Sequence, residues 1–318
     1  MSSAGFRPKV VTAGETMALL LPQGAGRLRH APTVEVRVGG AESNVAIALA
    51  RLGVPAGWAS WLGDDAVGDL VATRLRGEGV DTSQVKRVEA PTGLYVRERL
   101  PNQMRVYYHR NGSAASMMGR MAFDPDYLDG ARYLHITGIT PALSASCQEF
   151  VSWVVAEARS RELKVSFDVN YRARLWEAEL ARSYVESVLP EVDVLFVGAD
   201  EAEALWGESG RDLVARLRQL GPSEVILKQG ADGSTGCIDG EWLSCRAIDV
   251  EVVDPVGAGD AFAAGYLAAS LWGLGPAERL EIGNAMGAYS VLSLGDYAGL
   301  PSRAELESFM SGAASTLR

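Results

Sequence analysis

Two glycines and an acid, close together at residues 257–260, have the residue types and spacing that could do chemistry. Gly257 and Gly259 let the backbone turn tightly and bring successive N–H groups close to a ligand. A helix that begins here adds unpaired N–H groups and the positive end of its dipole, so Gly257-Ala258-Gly259 can hold an anion without a cationic side chain. Asp260 follows and can take the proton of an attacking hydroxyl group, which favours transfer of a phosphoryl group to an alcohol. The alternative is a glycine-rich turn that caps a helix, with Asp260 as a charge that suits the helix dipole.

A second glycine-rich stretch begins at residue 39 and runs into a pattern typical of a helix, Glu42 to Leu52. Gly39 and Gly40 would let the backbone come close to a polyol, since neither residue has a side chain. Asn44 can both donate hydrogen bonds to neighbouring hydroxyl groups and accept them. Its alternative role is to bond its own backbone near the start of the helix.

Two arginines indicate the charge of the substrate. Arg110 and Tyr108 share one face of a predicted strand, since side chains alternate along a strand. Arg172 follows a predicted central strand, at the end where ligands bind in open α/β sheets. Arginine pairs carboxylates in a bidentate manner, so two guanidinium groups in one pocket favour a sugar acid over a neutral sugar. Each arginine could equally be a surface residue.

The elements that must position these residues follow an alternating order. Short apolar runs alternate with amphipathic stretches along most of the chain, which predicts parallel strands with helices on both faces of a sheet. We predict strands at residues 10–14, 58–62, 133–136, 165–168, 194–197 and 225–228, and helices at 42–52, 69–78, 149–161, 213–220, 261–271 and 276–292.

Two segments break this alternation. The run Val34 to Val38 alternates apolar and charged residues, which predicts a half-exposed strand. Residues 94–100 and 104–110 predict two further strands, joined by a turn at Pro101-Asn102-Gln103. We expect this small sheet to be a lid that excludes water, which would otherwise compete as the phosphoryl acceptor. The alternative is an ordinary edge extension of the main sheet.

Length and composition restrict the class of protein. A chain of 318 residues that is 47% hydrophobic can bury a large core, as one α/β unit or as two domains. The formal net charge of −10 argues against nucleic acid as a partner, because phosphate binding needs clustered Lys and Arg. Three cysteines without metal-type spacing favour reduced thiols. Neither a signal segment nor a membrane-length apolar run is visible, so we expect a soluble cytoplasmic protein without a membrane partner.

Together, the segments 252–265 and 39–53 resemble the two signatures of the ribokinase-like, or PfkB, sugar kinases. This resemblance implies an α/β three-layer sandwich with a central mostly parallel sheet, helices on both faces and a small β-sheet lid. It implies one domain over residues 1–318, with the lid inserted at about residues 16–38 and 92–112. In that family the glycines form an anion hole and the aspartate is the catalytic base, here Asp260. Lid sheets in the family often pair two subunits, so a homo-oligomer through the lid is expected.

The resemblance also implies ATP as the phosphoryl donor. Lys228, Gly230 and Gly233 resemble the family's Lys-x-Gly-x-x-Gly nucleotide loop, and Asn284 lies where the family places a nucleotide contact. Taken alone, these residues could be an ordinary turn and a surface helix. The sequence contains neither a Walker-type phosphate loop nor the motifs of protein kinases, which disfavours those phosphotransferase classes.

Magnesium is expected with ATP, because kinases use it to bridge phosphate oxygens. The family often carries an Asn-x-x-Glu motif linked to the metal, and here Gly198 stands in place of the asparagine. Glu201 can still act through a magnesium-bound water. A monovalent cation is a further candidate cofactor.

A narrower resemblance, to the sugar-acid kinases of this family that act on 2-keto-3-deoxygluconate, rests on segments 92–98, 108–114, 136–143, 168–172 and 295–296. It implies phosphorylation of the 6-hydroxyl group of that acid. The residues then expected around the sugar are Gly39, Gly40, Asn44, Tyr95, Tyr108, Arg110, Arg172, Asp260 and Asp296. Those expected on the nucleotide side are Asn170, Arg172, Gly198, Lys228, Gly230, Gly233, Gly257, Gly259 and Asn284. The alternatives are a kinase for a neutral ketose such as fructose and a sugar-binding sensor without catalysis, and the galactonate epimer is not distinguished as a substrate.

Overall fold

The computed structural model describes residues 7–23, 27–100 and 103–312. The strands in these ranges are β1 (Val10–Ala13), β2 (Met17–Pro22), β3 (Val34–Gly39), β4 (Ala56–Gly63), β5 (Val85–Val88), β6 (Leu94–Leu100), β7 (Gln103–His109), β8 (Tyr133–Thr137), β9 (Lys164–Asp168), β10 (Val194–Gly198), β11 (Glu224–Lys228), β12 (Ser234–Ile238) and β13 (Glu241–Cys245). The α-helices are α1 (Ala41–Arg51), α2 (Ala66–Gly77), α3 (Ile139–Ala142), α4 (Ala145–Ser160), α5 (Ala178–Val188), α6 (Ala199–Trp206), α7 (Arg211–Gln219), α8 (Ala258–Leu271), α9 (Pro276–Ser290) and α10 (Arg303–Met310). Each strand and helix predicted from the sequence is present, with its ends shifted by a few residues at most.

In the described part of the chain, nine strands form the main sheet, in the order β13-β12-β11-β10-β9-β8-β1-β4-β5. The strands from β11 to β5 in this order are parallel, which confirms the mostly parallel sheet, and β12 and β13 are antiparallel. The chain adds β4 and β5 on one side of β1 and then β8 to β11 on the other. Open α/β sheets bind ligands beyond the carboxyl ends of the strands at such a change of direction.

Helices cover both faces of this sheet. Along β10, Val194 and Phe196 pack into one apolar cluster, which contains residues of α1 and α8, while Leu195 and Val197 pack into the other, which contains residues of α4 and α7. This alternation follows from the two-residue period of a strand. Each of the four side chains is almost completely buried, and such burial stabilises the fold by about 1.5–3 kcal/mol per large apolar side chain.

A separate sheet of four strands, in the order β3-β2-β6-β7, contains the segments predicted to form the lid. In the described residues none of these strands joins the main sheet, so the edge-extension alternative is wrong. β7 ends at His109, and Arg110 therefore lies one residue beyond the strand that the sequence assigned to it. Pro101 and Asn102, which belong to the predicted turn, lie outside the described residues.

Two helices begin next to the gap between the two sheets, α1 after Gly40 and α8 after Gly257. α8 is buried along residues 260–269 and packs against α1 and α9. Its first turn is therefore held by the protein interior and not by a surface loop. No helix in the three described ranges is both long enough and apolar enough to cross a membrane.

Candidate active site

A cavity of about 780 Å³ lies between the carboxyl ends of the main-sheet strands and the small sheet. It is lined by all the residues that the sequence predicts around a sugar, namely Gly39, Gly40, Asn44, Tyr95, Tyr108, Arg110, Arg172, Asp260 and Asp296. Most of the predicted nucleotide-side residues line it as well: Asn170, Arg172, Gly198, Lys228, Gly230, Gly257 and Gly259. The fold thus brings together side chains from both ends of the sequence.

A second cavity of about 460 Å³ adjoins the first, and the two share Lys228, Gly230, Pro255 and Gly259. Apolar residues such as Ile248 and Val291 line its walls. The two remaining nucleotide-side residues lie here, Gly233 and Asn284. A polar cavity that continues into an apolar one suits a ligand with a charged end and a flat apolar end, as in the phosphates and base of a nucleotide.

Asn284 of α9 is buried, so the surface-helix alternative is wrong for this residue. Its side-chain amide donates hydrogen bonds to the carbonyl oxygens of Cys245 at 3.0 Å and Arg246 at 3.3 Å. Gly233 has φ +98°, a left-handed conformation, and a Cβ atom on it would collide with the backbone of Cys245. Both residues therefore fix the chain that follows β13 along the wall of the second cavity.

Asp260 lies in the first turn of α8, next to Gly259, which both cavities share. Its side chain is 8% exposed, and Oδ2 accepts a hydrogen bond from Asn44 Nδ2 at 2.8 Å. Burial raises the pKa of Asp260 to about 7, against the opposite effect of the Asn44 hydrogen bond. A carboxyl group with a pKa near neutrality can accept a proton in the physiological range, which is the property of a general base.

Two asparagines hold this carboxyl group from different elements. Asn44 of α1 bonds Asp260 and not its own helix, and its Oδ1 is buried without a partner among the described residues. Asn170, after β9, donates from Nδ2 to the other oxygen of Asp260 at 3.4 Å. Its backbone has φ +39°, in the left-handed region that non-glycine residues seldom adopt. Backbone strain of this kind persists mainly at functional sites, where the surrounding structure enforces it.

The glycine segment at the start of α8 has the geometry of an anion-binding turn. Gly257 has φ +84°, and a Cβ atom there would collide with the carbonyl oxygen of Asp296. A Cβ atom on Gly259 would lie 3.1 Å from Lys228 Nζ, so the lysine amine sits directly beside the helix start. The free N–H groups of a first helical turn and a nearby ammonium group together favour a phosphate.

Lys228, at the end of β11, forms an ion pair with Asp168, at the end of β9, through distances of 2.9 and 2.7 Å to the two carboxylate oxygens. Burial disfavours the charged amine, but the carboxylates of Asp168 and Glu201 outweigh it and raise the pKa of Lys228. The amine is therefore a permanent positive charge at the junction of the two cavities.

The small sheet supplies an aromatic and acidic wall. Tyr95 and Tyr108 stack with ring centroids 5.6 Å apart, and the Tyr95 hydroxyl donates to Asp296 Oδ2 at 2.7 Å. A Cβ atom on Gly39 would collide with both the Tyr95 hydroxyl and the Asp296 carboxylate, which explains a glycine here. Such a wall offers ring faces and hydrogen-bonding groups to a polyol.

The two arginines differ in their surroundings. Arg110 forms an ion pair with the buried carboxylate of Glu15, and its guanidinium group lies 5.5 Å from the centre of the Tyr108 ring. Arg172 is exposed and donates only to the neighbouring carbonyl oxygen of Tyr171, at 3.1 Å, among the described residues. A neutral substrate would therefore not leave both arginine charges without a partner, because Glu15 already compensates the charge of Arg110.

Glu201 lines the first cavity at the start of α6. Its carboxylate accepts hydrogen bonds from the backbone N–H groups of Gly198 at 2.7 Å and Tyr171 at 3.0 Å. Burial and the neighbouring Asp168 raise its pKa. No group of three or more His, Cys, Asp and Glu side chains that could hold a metal ion is found in the described residues. Glu201 is thus a carboxylate at the cavity wall with both oxygens bonded to backbone N–H groups.

The sequence did not single out four charged residues at or next to the site: Glu15, Arg97, Asp168 and Asp254. Two of them were detectable, because Glu15 and Asp168 stand at the carboxyl ends of predicted strands, where open α/β sheets bind ligands. Arg97 shares the parity of Tyr95 on β6 and therefore faces the same cavity. For Asp254 we find no local signal beyond its place at the start of the glycine segment.

Comparison with known proteins agrees with this geometry. Residues 7–303 match the family model described as pfkB family carbohydrate kinase. The chain is 39% identical over 309 residues to the 2-dehydro-3-deoxygluconokinase of Bacillus subtilis (strain 168), and the match covers 95% of each chain. The crystal structure of 2-dehydro-3-deoxygluconokinase from Thermotoga maritima is similar with a TM-score of 0.89 and 31% identity, over 96% of this chain and 99% of that one. A putative ribokinase II from E. coli, in complex with ATP and Mg²⁺, is similar with a TM-score of 0.88 and 26% identity, over 96% and 99%.

Proposed function

Since the chain belongs to the pfkB family of carbohydrate kinases, we propose that it phosphorylates the 6-hydroxyl group of 2-keto-3-deoxygluconate with ATP. This sugar acid is also called 2-dehydro-3-deoxygluconate, the compound in the names of the relatives from Bacillus subtilis and Thermotoga maritima. One observation carries the proposal: a buried acid, Asp260, lies in the first turn of α8 next to the junction of two adjoining cavities, and burial raises its pKa to about 7.

In the proposed reaction the 6-oxygen of the sugar forms a bond to the γ-phosphorus of ATP, the bond to the bridging oxygen breaks, and ADP leaves. Asp260 takes the proton of the attacking hydroxyl group, a form of catalysis that contributes roughly 10² to 10⁴ in rate. The N–H groups at residues 257–259 and the Lys228 amine lie beside Asp260 and stabilise the charge on the transferred group.

On the sugar side, we assign Asn44 Oδ1 as an acceptor for a substrate hydroxyl, because it is buried and has no partner among the described residues. Tyr95, Tyr108 and Asp296 form the opposite wall. Arg172 lines this cavity and forms no direct ion pair in the described structure, and we assign it to the carboxylate of the sugar acid. The guanidinium group of Arg110, which is paired with Glu15, lies beside Tyr108 and can offer its other N–H groups to the substrate.

On the nucleotide side, the proposal places the phosphates near Asn170, Gly198, Lys228 and Gly230, and the base in the second cavity between Gly233 and Asn284. Magnesium, when bound, bridges phosphate oxygens and neutralises their charge. Glu201 would hold it through a water molecule. We further propose activation by a monovalent cation. A comparison of kcat in potassium and in tetramethylammonium salts tests this.

We also propose that residues 1–318 act as one domain, with the small sheet, at about 16–38 and 92–112, as a lid that excludes water from the cavity. Pairing of two copies through the exposed face of this sheet would give a homo-oligomer. A cytoplasmic location is consistent with the free thiols of Cys147, Cys237 and Cys245.

A kinase for a neutral ketose is the second candidate, and one observation favours it: Glu15 already compensates the charge of Arg110, so this arginine does not require an anionic substrate. A non-catalytic sensor is disfavoured, because the complete Gly257-Ala258-Gly259-Asp260 segment has the geometry of a transfer site.

A substrate panel tests the proposal. The protein is incubated with ATP, Mg²⁺ and 2-keto-3-deoxygluconate, its galactonate epimer, fructose or ribose, and ADP release is followed by a coupled assay. We expect the highest kcat/KM with a 2-keto-3-deoxy sugar acid, and a kcat lower by roughly 10² to 10⁴ in the Asp260→Ala variant. Faster turnover of fructose at equal concentration would favour the neutral-ketose candidate, and the absence of sugar-dependent ADP release would favour the sensor.

A further inference from the structure

Arg97 of β6 is among the largest fully buried side chains of the described structure, with 2% exposure. It donates from Nη2 to Asp254 Oδ2 at 2.8 Å and from Nη1 to Asp296 Oδ1 at 3.0 Å. These two acids are 157 and 199 residues away from Arg97 in the sequence. One guanidinium group of the small sheet thus bridges two carboxylates, one shortly before α8 and one shortly after α9.

Both acids lie next to the backbone of the glycine segment, Asp254 through its carboxylate and Asp296 through its main-chain carbonyl group. Asp254 accepts hydrogen bonds from the N–H groups of Val256 at 3.2 Å and Gly295 at 3.1 Å. The carbonyl oxygen of Asp296 lies against Gly257, so closely that a Cβ atom there would collide with it. The turn that ends in Gly257 is therefore held on one side by Asp254 and on the other by the loop at 295–296.

Charge explains why a cation is needed at this point. Asp254 is 1% exposed and Asp296 8% exposed, and two buried carboxylates side by side repel each other. Arg97 provides one positive charge in a planar fork, which can bond both acids at once, whereas a lysine presents a single point charge. Without it, an uncompensated carboxylate would draw in water or turn away, and either change would release the N–H groups of Val256 and Gly295.

Arg97 also lines the first cavity and stands two residues from Tyr95, whose hydroxyl bonds the same Asp296. Hydrogen bonds therefore connect four side chains, namely Tyr95, Arg97, Asp254 and Asp296. This group links the proposed sugar-facing wall to the turn proposed to face the phosphoryl group.

We propose that Arg97 is a positioning residue, which ties the small sheet to the turn at 254–257 and sets the geometry of the anion-binding N–H groups. The inference rests on the proposed function for its catalytic consequence, while its structural part stands independently. It predicts that loss of Arg97 lowers kcat more than it raises KM for ATP, because none of the four side chains lines the second cavity, where the base of the nucleotide is proposed to bind.

The test compares Arg97→Ala and Arg97→Lys with the control Arg99→Ala, an exposed residue further along the same strand and on the same side of it. For Arg97→Ala we expect a fall in kcat of about 10²-fold, the size that a displacement of about 1 Å can cause at a reaction site. Guanidinium ion added at low millimolar concentration should restore part of the activity of Arg97→Ala and none in the control. Arg97→Lys should be intermediate, because its single charge cannot bond both acids.

A second readout does not depend on activity. Amide hydrogen exchange at residues 253–258, measured without sugar, should be faster in Arg97→Ala than in the wild type and in Arg99→Ala. Wild-type exchange together with wild-type kcat in Arg97→Ala overturns the proposal, and so does a lower melting temperature with an unchanged kcat per folded molecule. If Arg97→Ala does not fold, a wild-type kcat and wild-type exchange in Arg97→Lys overturn it. If the wild type turns over no sugar, the proposed function fails, and the exchange experiment still decides the role of Arg97.

Discussion

Asp260 shows how burial and hydrogen bonding compete at one residue. Removal from water raises the pKa of its carboxyl group to about 7, while the amide of Asn44 stabilises the charged form. The charge of Asp168 raises it further, and Lys228 and Arg172 lower it. The acid is therefore half ionised near neutral pH, which a surface aspartate is not.

This pKa predicts the pH dependence of activity. Below about pH 7 Asp260 carries a proton and cannot accept another, so kcat/KM for the sugar should rise with pH and level off above about 7. Asp260→Asn should lower kcat by roughly 10² to 10⁴ and flatten the profile. Steady-state ADP release across the pH range measures both, and wild-type turnover in Asp260→Asn would show that another group is the base.

The raised pKa of Asp260 also affects stability, which should fall with rising pH where activity increases. Between its ordinary value of 3.8 and about 7, the carboxyl group of Asp260 is protonated in the native state and ionised in the unfolded state. Because the native state then binds more protons, the contribution of Asp260 to the free energy of unfolding falls as pH rises through this window. Asp260→Asn should remove this part of the slope in denaturant titrations.

The two arginines should respond differently to removal. Arg172→Ala would remove the proposed charged hydrogen bond to the substrate, worth about 1.5 to 3 kcal/mol, so KM for the sugar acid should rise roughly 10- to 150-fold. Activity on a neutral ketose should hardly change, because such a sugar has no carboxylate.

Arg110→Ala leaves the charge of the buried Glu15 unpaired and should lower activity on both kinds of sugar, together with the melting temperature. Arg110→Ala combined with Glu15→Gln removes both charges and serves as the control. A loss on the acid alone in Arg110→Ala would contradict this distinction.

At the scale of elements, α8 holds the proposed catalytic groups in place because it is buried on nearly all sides. Small residues such as Ala263, Ala264 and Gly265 let α1 and α9 approach it closely, and a Cβ atom on Gly265 would collide with the side chain of Met286. Asn44 on α1 therefore reaches Asp260 across a tight helix contact. Close packing of these helices keeps the Asp260 side chain in place, so its position does not depend on a flexible loop.

Substitutions of the two glycines at the start of α8 should have different effects, one mainly on stability and the other mainly on activity. Gly257→Ala places a side chain at φ +84° against Asp296, so it should cost at least about 1–2 kcal/mol of unfolding free energy. Gly259→Ala has an ordinary helical backbone, and its Cβ atom would lie 3.1 Å from Lys228 Nζ. It should keep the melting temperature and lower kcat/KM for ATP by up to about 10²-fold through displacement of the amine. Equal effects of the two variants on stability would contradict this assignment.

At the scale of the whole molecule, the small sheet has two different faces. One face lines the cavity through Tyr95, Arg97 and Tyr108. The register places Val36, Leu20, Val96 and Tyr107 in one row across the opposite face. The ends of this row, Val36 and Tyr107, are 40% and 44% exposed, an apolar surface of the kind that pairs with another protein surface.

If two copies pair through this face, a charge in the row should separate them. Val36→Lys should shift the sedimentation coefficient towards that of a monomer at concentrations where the wild type is oligomeric, because a buried unpaired charge opposes association. Leu180→Lys, on exposed α5, is the matched control and should not change it. A monomeric wild type, or an oligomer that persists in Val36→Lys, would exclude this face as the contact.

The sequence alone determined the elements and the nature of the site. Periods of two and of 3.6 residues distinguish strands from helices within a short window, so the alternating α/β order, the separate strands at 94–100 and 34–38 and the glycine turn before Asp260 could be predicted. The sugar and nucleotide sides were predicted through the resemblance, and their residues all line one or both cavities.

Only the tertiary structure decided which charges meet. Nothing local indicates that Arg110 faces Glu15, or that Arg97 bonds acids 157 and 199 residues further along the chain. Those pairs depend on how the small sheet is seated over the strand ends, which is set by the packing of many side chains together. The charge state of Asp260 depends on the same packing, because its pKa reflects burial by groups from several elements. Local periodicity is a property of neighbouring residues, whereas burial and ion pairing are properties of the assembled fold.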